Sequence, residues 1–439
     1  MKMPMSARCF LTAAILAIAA AGAGCSHAVA IVPPGPMPRP VARVVTPLPV
    51  PDPATVAANA DVKQIADANT KFGFQLLGEL AKAKPGQNVF FSPFSITNAL
   101  TMLLTGAAGQ TQTDVATALS LRSLSTDRIN QANALLLPSL EHPDPGVELD
   151  VANALWADKS ITLAPPFVHS CAQYYQATAA SLDFNDPSAA GTINQWASDN
   201  TKGKIGSIVT PGDLSGAQAV LSNAVYFHGK WRYPFDKSDT QDGPFTLDGG
   251  SVKTLPMMTQ DDDLPYIETD QFQMVSVPYE GNNRMSMYLI VPKTNLGAVL
   301  RRLDAGSWQS WIRQMHTTYL TLFLPRFQVA YSVKLKEQLA ALGMGSAFTS
   351  DADFGPMGLP TGTAISQVLH KAIMQVDEQG TVAAAVTVVE MEPTAAAPPP
   401  APTVVVRVDS PFFCAIRDNL TGTLLFAGAI YAPDTLSGE

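Results

Sequence analysis

Charge is scarce in this chain: 15% of its 439 residues are Asp, Glu, Lys or Arg, against 46% hydrophobic ones. The charge present sums to −9. That excludes a non-specific nucleic-acid role, because such proteins meet phosphates with a basic face. Four cysteines are too few for a disulfide scaffold, and no two of them form a C-x-x-C pair. The six histidines are scattered. Familiar chemical motifs are missing as well: there is no G-x-S-x-G, H-E-x-x-H, Walker A loop or G-x-G-x-x-G. The acidic run Asp261 to Asp263 lacks the spaced ligands and glycine of a calcium loop, so it reads as a solvated loop. No metal, cofactor or nucleophile is implied, and the chain does not read as an enzyme. A surface enzyme with a triad recognisable only by geometry is the remaining catalytic alternative. One more absence is local: no Lys or Arg lies between Lys371 and Arg407.

Lys2 and Arg8 accompany the apolar, small-residue run Cys9 to Ala23, which is short for a spanning helix and ends in Ala23-Gly24-Cys25. Residues 1–25 therefore read as a signal peptide. Small residues before a cysteine resemble a bacterial lipobox, which implies a lipid on the Cys25 thiol; Gly22 stands where a Leu is usual. The alternative is ordinary secretion with cleavage nearby. Ser26 is permissive for outer-membrane sorting by the same resemblance. The expectation is an exported protein, lipid-anchored at the outer membrane or cell surface or else secreted, which meets a membrane only through that lipid. Residues 26–58 form a Pro-rich linker, with nine prolines from Pro33 to Pro53. Proline fixes φ and favours extended polyproline II at about 3.1 Å per residue. A globular domain, expected as a monomer, fills 59–439.

Within it, Ile65, Phe72, Leu76, Leu77 and Leu80 recur at helical spacing over Asp61 to Ala83. Ser92-Pro93 has the form of an N-cap followed by proline in the first turn. Thr111, three before Asp114, resembles a capping-box start. "MSMYLIVP", "YLTLFLP", "TVVVRV", "FFCAI" and "TLLFAGAIY" read as strands, and "RDNLTGT" as a hairpin turn. Cys414, in "PFFCAI", is expected to be a buried free thiol, and His370, in "SQVLHKAIMQV", a hydrogen-bonded core residue. Helices dominate the front and strands the back, an α+β pattern with a substantial sheet.

The informative segment is "DEQGTVAAAVTVVEMEPTAAAPPPAP", from Asp377 to Pro402. Read as a strand, Gly380 to Glu392 puts Thr381, Ala383, Ala385, Thr387, Val389 and Met391 on one uncharged face. No proline interrupts it, whereas Pro393, Pro398 to Pro400 and Pro402 follow directly. Gly380 supplies the backbone freedom of a hinge. The plain alternative is a buried strand or helix followed by a loop.

Six segments resemble the serpins in order and approximate spacing: "NVFFSPFSITNALTMLLTGAAGQT", "INQWASDNTKGKI", "LSNAVYFHGKWRYPFD", "VPYEGNNRMSMYLIVP", "HKAIMQVDEQGTVAAAV" and "SPFFCAIRDNLTGTLLFAGAI". The likeness spans about Val62 to Asp434. It implies three β-sheets with surrounding helices and an exposed reactive loop. It also implies a suicide-substrate mechanism, in which a serine or cysteine protease cuts the loop and is trapped as an acyl-enzyme when the loop inserts into the central sheet. The hinge would comprise Glu378, Gly380, Thr381, Ala383, Ala384 and Ala385, with Val382 and Val386 departing from the commoner Glu and Ala. Ser92, Ser95, Asn223 and His370 match the polar cluster under the opening sheet. Trp231 lies where the sheet first parts, and Arg326 falls where a basic partner for Glu378 is expected. Counting from Glu378 puts the reactive bond at Thr394–Ala395, whereas counting back from Pro411 lands near Pro400. The lack of a cation there disfavours trypsin-like targets, whose pocket is acidic, and favours elastase-, subtilisin- or papain-like ones. The alternative is a non-inhibitory serpin-fold surface binding protein.

Overall fold

The computed structural model describes residues 48–141, 143–381 and 404–436. Ordered structure begins before Asn59. Asp52 caps a short helix, Pro53–Ala58, by accepting from the Thr55 amide, and Val56 is fully buried. Asn59 then caps the next helix, Ala60–Ala83, accepting from the amides of Asp61 and Val62. Residues 53–58 at the end of the Pro-rich segment are thus helical, and Val56 joins the hydrophobic core. Ile65, Phe72, Leu76, Leu77 and Leu80 are all buried, as their spacing predicts.

Helix Pro93–Thr105 starts as its sequence predicts, with the Ser92 hydroxyl accepting from the Ser95 amide. It is buried on every side from Pro93 to Leu104. Its Ser95, Asn98 and Thr101 must therefore find partners inside the protein. The Thr111 cap is corrected: the helix begins earlier, at Gly109, and Thr111 sits buried within it, accepting from the Asp353 amide.

A six-stranded sheet lies beside that helix. Its order is Phe327–Lys334, Gln367–Asp377, Gly380–Thr381, Ala219–Lys230, Val147–Asp158 and Thr178–Leu182. Its other face is covered by helix Ala189–Asn200, whose Ile193 and Trp196 pack on Trp156, Ala224 and Leu369. The remaining described strands form one nine-stranded sheet, eight of them along a single hydrogen-bonded path, with Gln241–Thr246 pairing off it. The 17-residue strand Val252–Glu268 accounts for that continuity. Its first residues pair with Gln241–Thr246, its middle with His316–Pro325 and its last with Phe272–Pro278. Through it, two of the three sheets that the resemblance implies run into one hydrogen-bonded network among the described strands. Asp261 to Asp263 lie in this strand, not in a loop. Asp261 and Asp263 are exposed and Asp262 is half-buried on the other face, the alternation of a strand. Cys171 and Cys414 are buried free thiols whose burial pushes their pKa up.

A chain beginning at Asn59 should be less stable than one beginning at Asp52 by about 2 kcal/mol, the burial of one Val side chain plus a cap. Urea midpoints of the two chains would show it, and equal midpoints would place Val56 outside the cooperative core.

A candidate reactive-loop hinge in a parted sheet

The central sheet is closed at one end and open at the other. Strands Gln367–Asp377 and Ala219–Lys230 pair in parallel from Gln367↔Val220 to Ile373↔Tyr226. Beyond that the two strands diverge, and Gly380–Thr381 lies between them, antiparallel to both. Thr381 pairs with Val376 and Gly229, and Gly380 with Asp377 and Lys230. Only glycine fits there: a Cβ at 380 would stand 2.0 Å from the Gly229 carbonyl oxygen and 2.8 Å from the Lys230 Cα.

The groups that grip the backbone at the open end come from the segment after strand Ala219–Lys230. The Trp231 amide donates to the Gln379 carbonyl and the Phe235 amide to the Glu378 carbonyl, both at 2.9 Å. Trp231 Nε1 donates to the Asp377 carbonyl at 2.9 Å. Its ring is buried and stacks on Tyr279, with centroids 4.7 Å apart and planes 8° apart. The Tyr279 hydroxyl, fully buried, shares a 2.7 Å hydrogen bond with the Thr381 hydroxyl. Glu378 is 2% exposed. Its Oε1 accepts from the Thr240 hydroxyl at 2.9 Å and lies 3.5 Å from Arg326 Nη1, so the buried carboxylate is both paired and hydrogen-bonded.

At the closed end the sheet is pinned by a buried polar chain. The Ser92 amide donates to His370 Nε2 at 3.2 Å, and His370 Nδ1 meets Asn223 Oδ1. Because Nε2 accepts from an amide, Nδ1 carries the proton. Asn223 Nδ2 donates to the Ser95 carbonyl at 3.0 Å and to Asn153 Oδ1. Asn153 donates to Asn98 at 2.8 Å, Asn98 to Asn133 at 3.3 Å, and Asn133 to the Ile129 carbonyl at 2.9 Å. Ser92, Ser95, Asn223 and His370 therefore meet as one cluster. Trp231, Arg326, Glu378, Gly380 and Thr381 meet as another. Asn98, Asn133, Asn153, Tyr279 and Asp377 went unnoticed in the sequence. A signal for the asparagines was there: Asn98, Asn133 and Asn153 each precede Ala-Leu, and Asn223 precedes Ala-Val. Ala383, Ala384, Ala385, Thr394, Ala395 and Cys25 lie outside the described residues.

A protein-family model described as Serpin (serine protease inhibitor) matches residues 67–433. The chain belongs to the serpin family. It is 36% identical over 376 residues to an uncharacterised serpin-like protein of Thermococcus kodakarensis, covering 84% of this chain and 86% of that one. It is 33% identical to the leukocyte elastase inhibitor of Bos taurus, covering 85% of this chain and all of that one. The structure of human thyroxine-binding globulin in complex with thyroxine overlays with a TM-score of 0.77 at 27% identity, covering 85% of this chain and 100% of that one. Serpins are in general protease inhibitors rather than enzymes, although thyroxine-binding globulin is a non-inhibitory member.

Burial pushes the His370 imidazole from 6.5 down to about 3. Between those values the unfolded chain binds a proton that the folded chain refuses, so stability falls as pH falls through that window. One such proton contributes a slope of about 1.4 kcal/mol per pH unit. Urea midpoints of the wild type and His370→Gln, compared from pH 7 to 4, should show a shallower pH dependence in the variant. Parallel curves would contradict this role.

Proposed function

We propose that this serpin is a suicide-substrate inhibitor of serine or cysteine proteases. One observation carries the reading: Gly380–Thr381 already pairs antiparallel between two strands that are otherwise zipped in parallel. A loop cut downstream needs only to continue that ladder. The protease Oγ or Sγ attacks the carbonyl carbon of Thr394, an ester or thioester forms, and the bond to the Ala395 nitrogen breaks as that amine leaves with a proton. Insertion then competes with hydrolysis of the acyl bond, and the enzyme is carried off before water completes the reaction. Glu378, Gly380, Thr381 and Ala383 to Ala385 would form the hinge, and Ser92, Ser95, Asn223, Trp231, Arg326 and His370 the groups the sheet must rearrange as it opens.

Target class follows from the missing cations. The nearest one downstream, Arg407, lies in strand Val404–Arg407 with its guanidinium 3.5 Å from the centroid of the Phe323 ring. Its backbone is held in strand pairing with Phe323, which places it poorly as bait. An elastase-, subtilisin- or papain-like target fits better than a trypsin-like one, and the likeness to a leukocyte elastase inhibitor agrees. Export with a lipid on Cys25 would place the inhibitor where foreign proteases arrive.

Mixing the full chain with pancreatic elastase, subtilisin, papain and trypsin should give a denaturant-resistant band at the summed mass with at least one of the first three and not with trypsin. Mass spectrometry should put the cut between Met391 and Ala397. Cleavage with no complex and no rise in melting temperature would instead support a non-inhibitory binding role.

A further inference from the structure

The turn that leads from strand Gln367–Asp377 into Gly380–Thr381 has only two residues, Glu378 and Gln379, because Asp377 and Gly380 are already a pair. Its carbonyls are held from outside by Trp231 and Phe235. Its amides are held from within: Asp377 Oδ1 accepts from the Gln379 amide at 2.8 Å and from the Gly380 amide at 3.1 Å. We propose that Asp377 is a positioning residue for trapping: its Oδ1 closes the turn that sets the register in which the reactive segment enters the sheet. This rests on the inhibitory reading above.

Register is the critical quantity in strand addition. Side chains alternate between faces, so a slip of one residue sends every inserted side chain to the wrong side. The observed register puts Thr381 opposite Val376 and within reach of the buried Tyr279 hydroxyl. Nothing downstream is needed to choose it, because the two Asp377 bonds and the Thr381–Tyr279 bond bracket the first two inserted residues. Asp377 is half-buried and burial pushes its pKa up, so a carboxylate is held there against a desolvation cost. An alanine at 377 would leave both amides without this acceptor. An asparagine would keep an oxygen in the same place.

The test uses full chains of the wild type, Asp377→Ala and Asp377→Asn. Each is mixed with excess subtilisin, and insertion after the cut is followed by stopped-flow tryptophan fluorescence and by the melting temperature of the cut chain. Asp377→Ala should insert about tenfold more slowly, the effect of two lost hydrogen bonds. Asp377→Asn should stay within about twofold of the wild type. Equal rates for wild type and Asp377→Ala would overturn the proposal. So would an Asp377→Asn chain with an unchanged native melting temperature that inserts as slowly as the alanine variant, because the charge and not the turn acceptor would then matter. A wild-type chain that is cut without any gain in melting temperature would remove the inhibitory reading and this inference with it.

Discussion

Seven parallel pairs, from Gln367↔Val220 to Ile373↔Tyr226, hold the central sheet shut, and the functional reading depends on their being replaceable. Inserting a strand between these neighbours exchanges one parallel ladder for two antiparallel ones. Antiparallel pairing is slightly the more stable per residue, and the exchange gains a whole ladder. The native sheet is in that sense one strand short. The residues that begin the missing strand are already seated, in a gap that admits glycine alone at position 380.

Such a state persists only if opening is costly, and the buried polar chain beneath the seam supplies the cost. His370 and Asn223 sit on the two strands that must separate, and each is also tied to the helix below, through the Ser92 amide and through Ser95. Parting the strands breaks the bond between them in a site that water does not reach, where an unmade hydrogen bond costs more than a made one contributes. At the other end the tie is shorter. Trp231 and Phe235 grip the turn through its carbonyls, and Arg326 and Thr240 hold Glu378. The two ends are therefore unequal: one resists opening, and the other presents the first rung of the new strand.

Much of this was legible in the sequence for identifiable reasons. The helix over Ala60–Ala83 shows in its apolar spacing, the start of Pro93–Thr105 in Ser92-Pro93, and the close backbone approach at 380 in a glycine. The asparagine relay left only the recurring Asn-Ala-Leu as its trace, because one polar residue on a helix or strand looks like a solvated position, and only the burial of Pro93–Thr105 on all sides makes Asn98 internal. The joining of sheets by Val252–Glu268 was hidden for a related reason. The prolines at 256 and 265 and the three aspartates between them argue for a loop, yet the chain stays extended because successive partners pair along its length. Asp377 gave no sign in the sequence of the two amides that donate to its Oδ1.

The most direct measurement is a crystal structure of the chain after its reactive loop has been cut. The account predicts that the segment beyond Thr381 continues as a full strand between Gln367–Asp377 and Ala219–Lys230. His370 and Asn223, now direct neighbours, would then lie two strand spacings apart, about 9.6 Å. A cut chain in which those two residues still pair directly, with Gly380–Thr381 the only inserted rung, would contradict it.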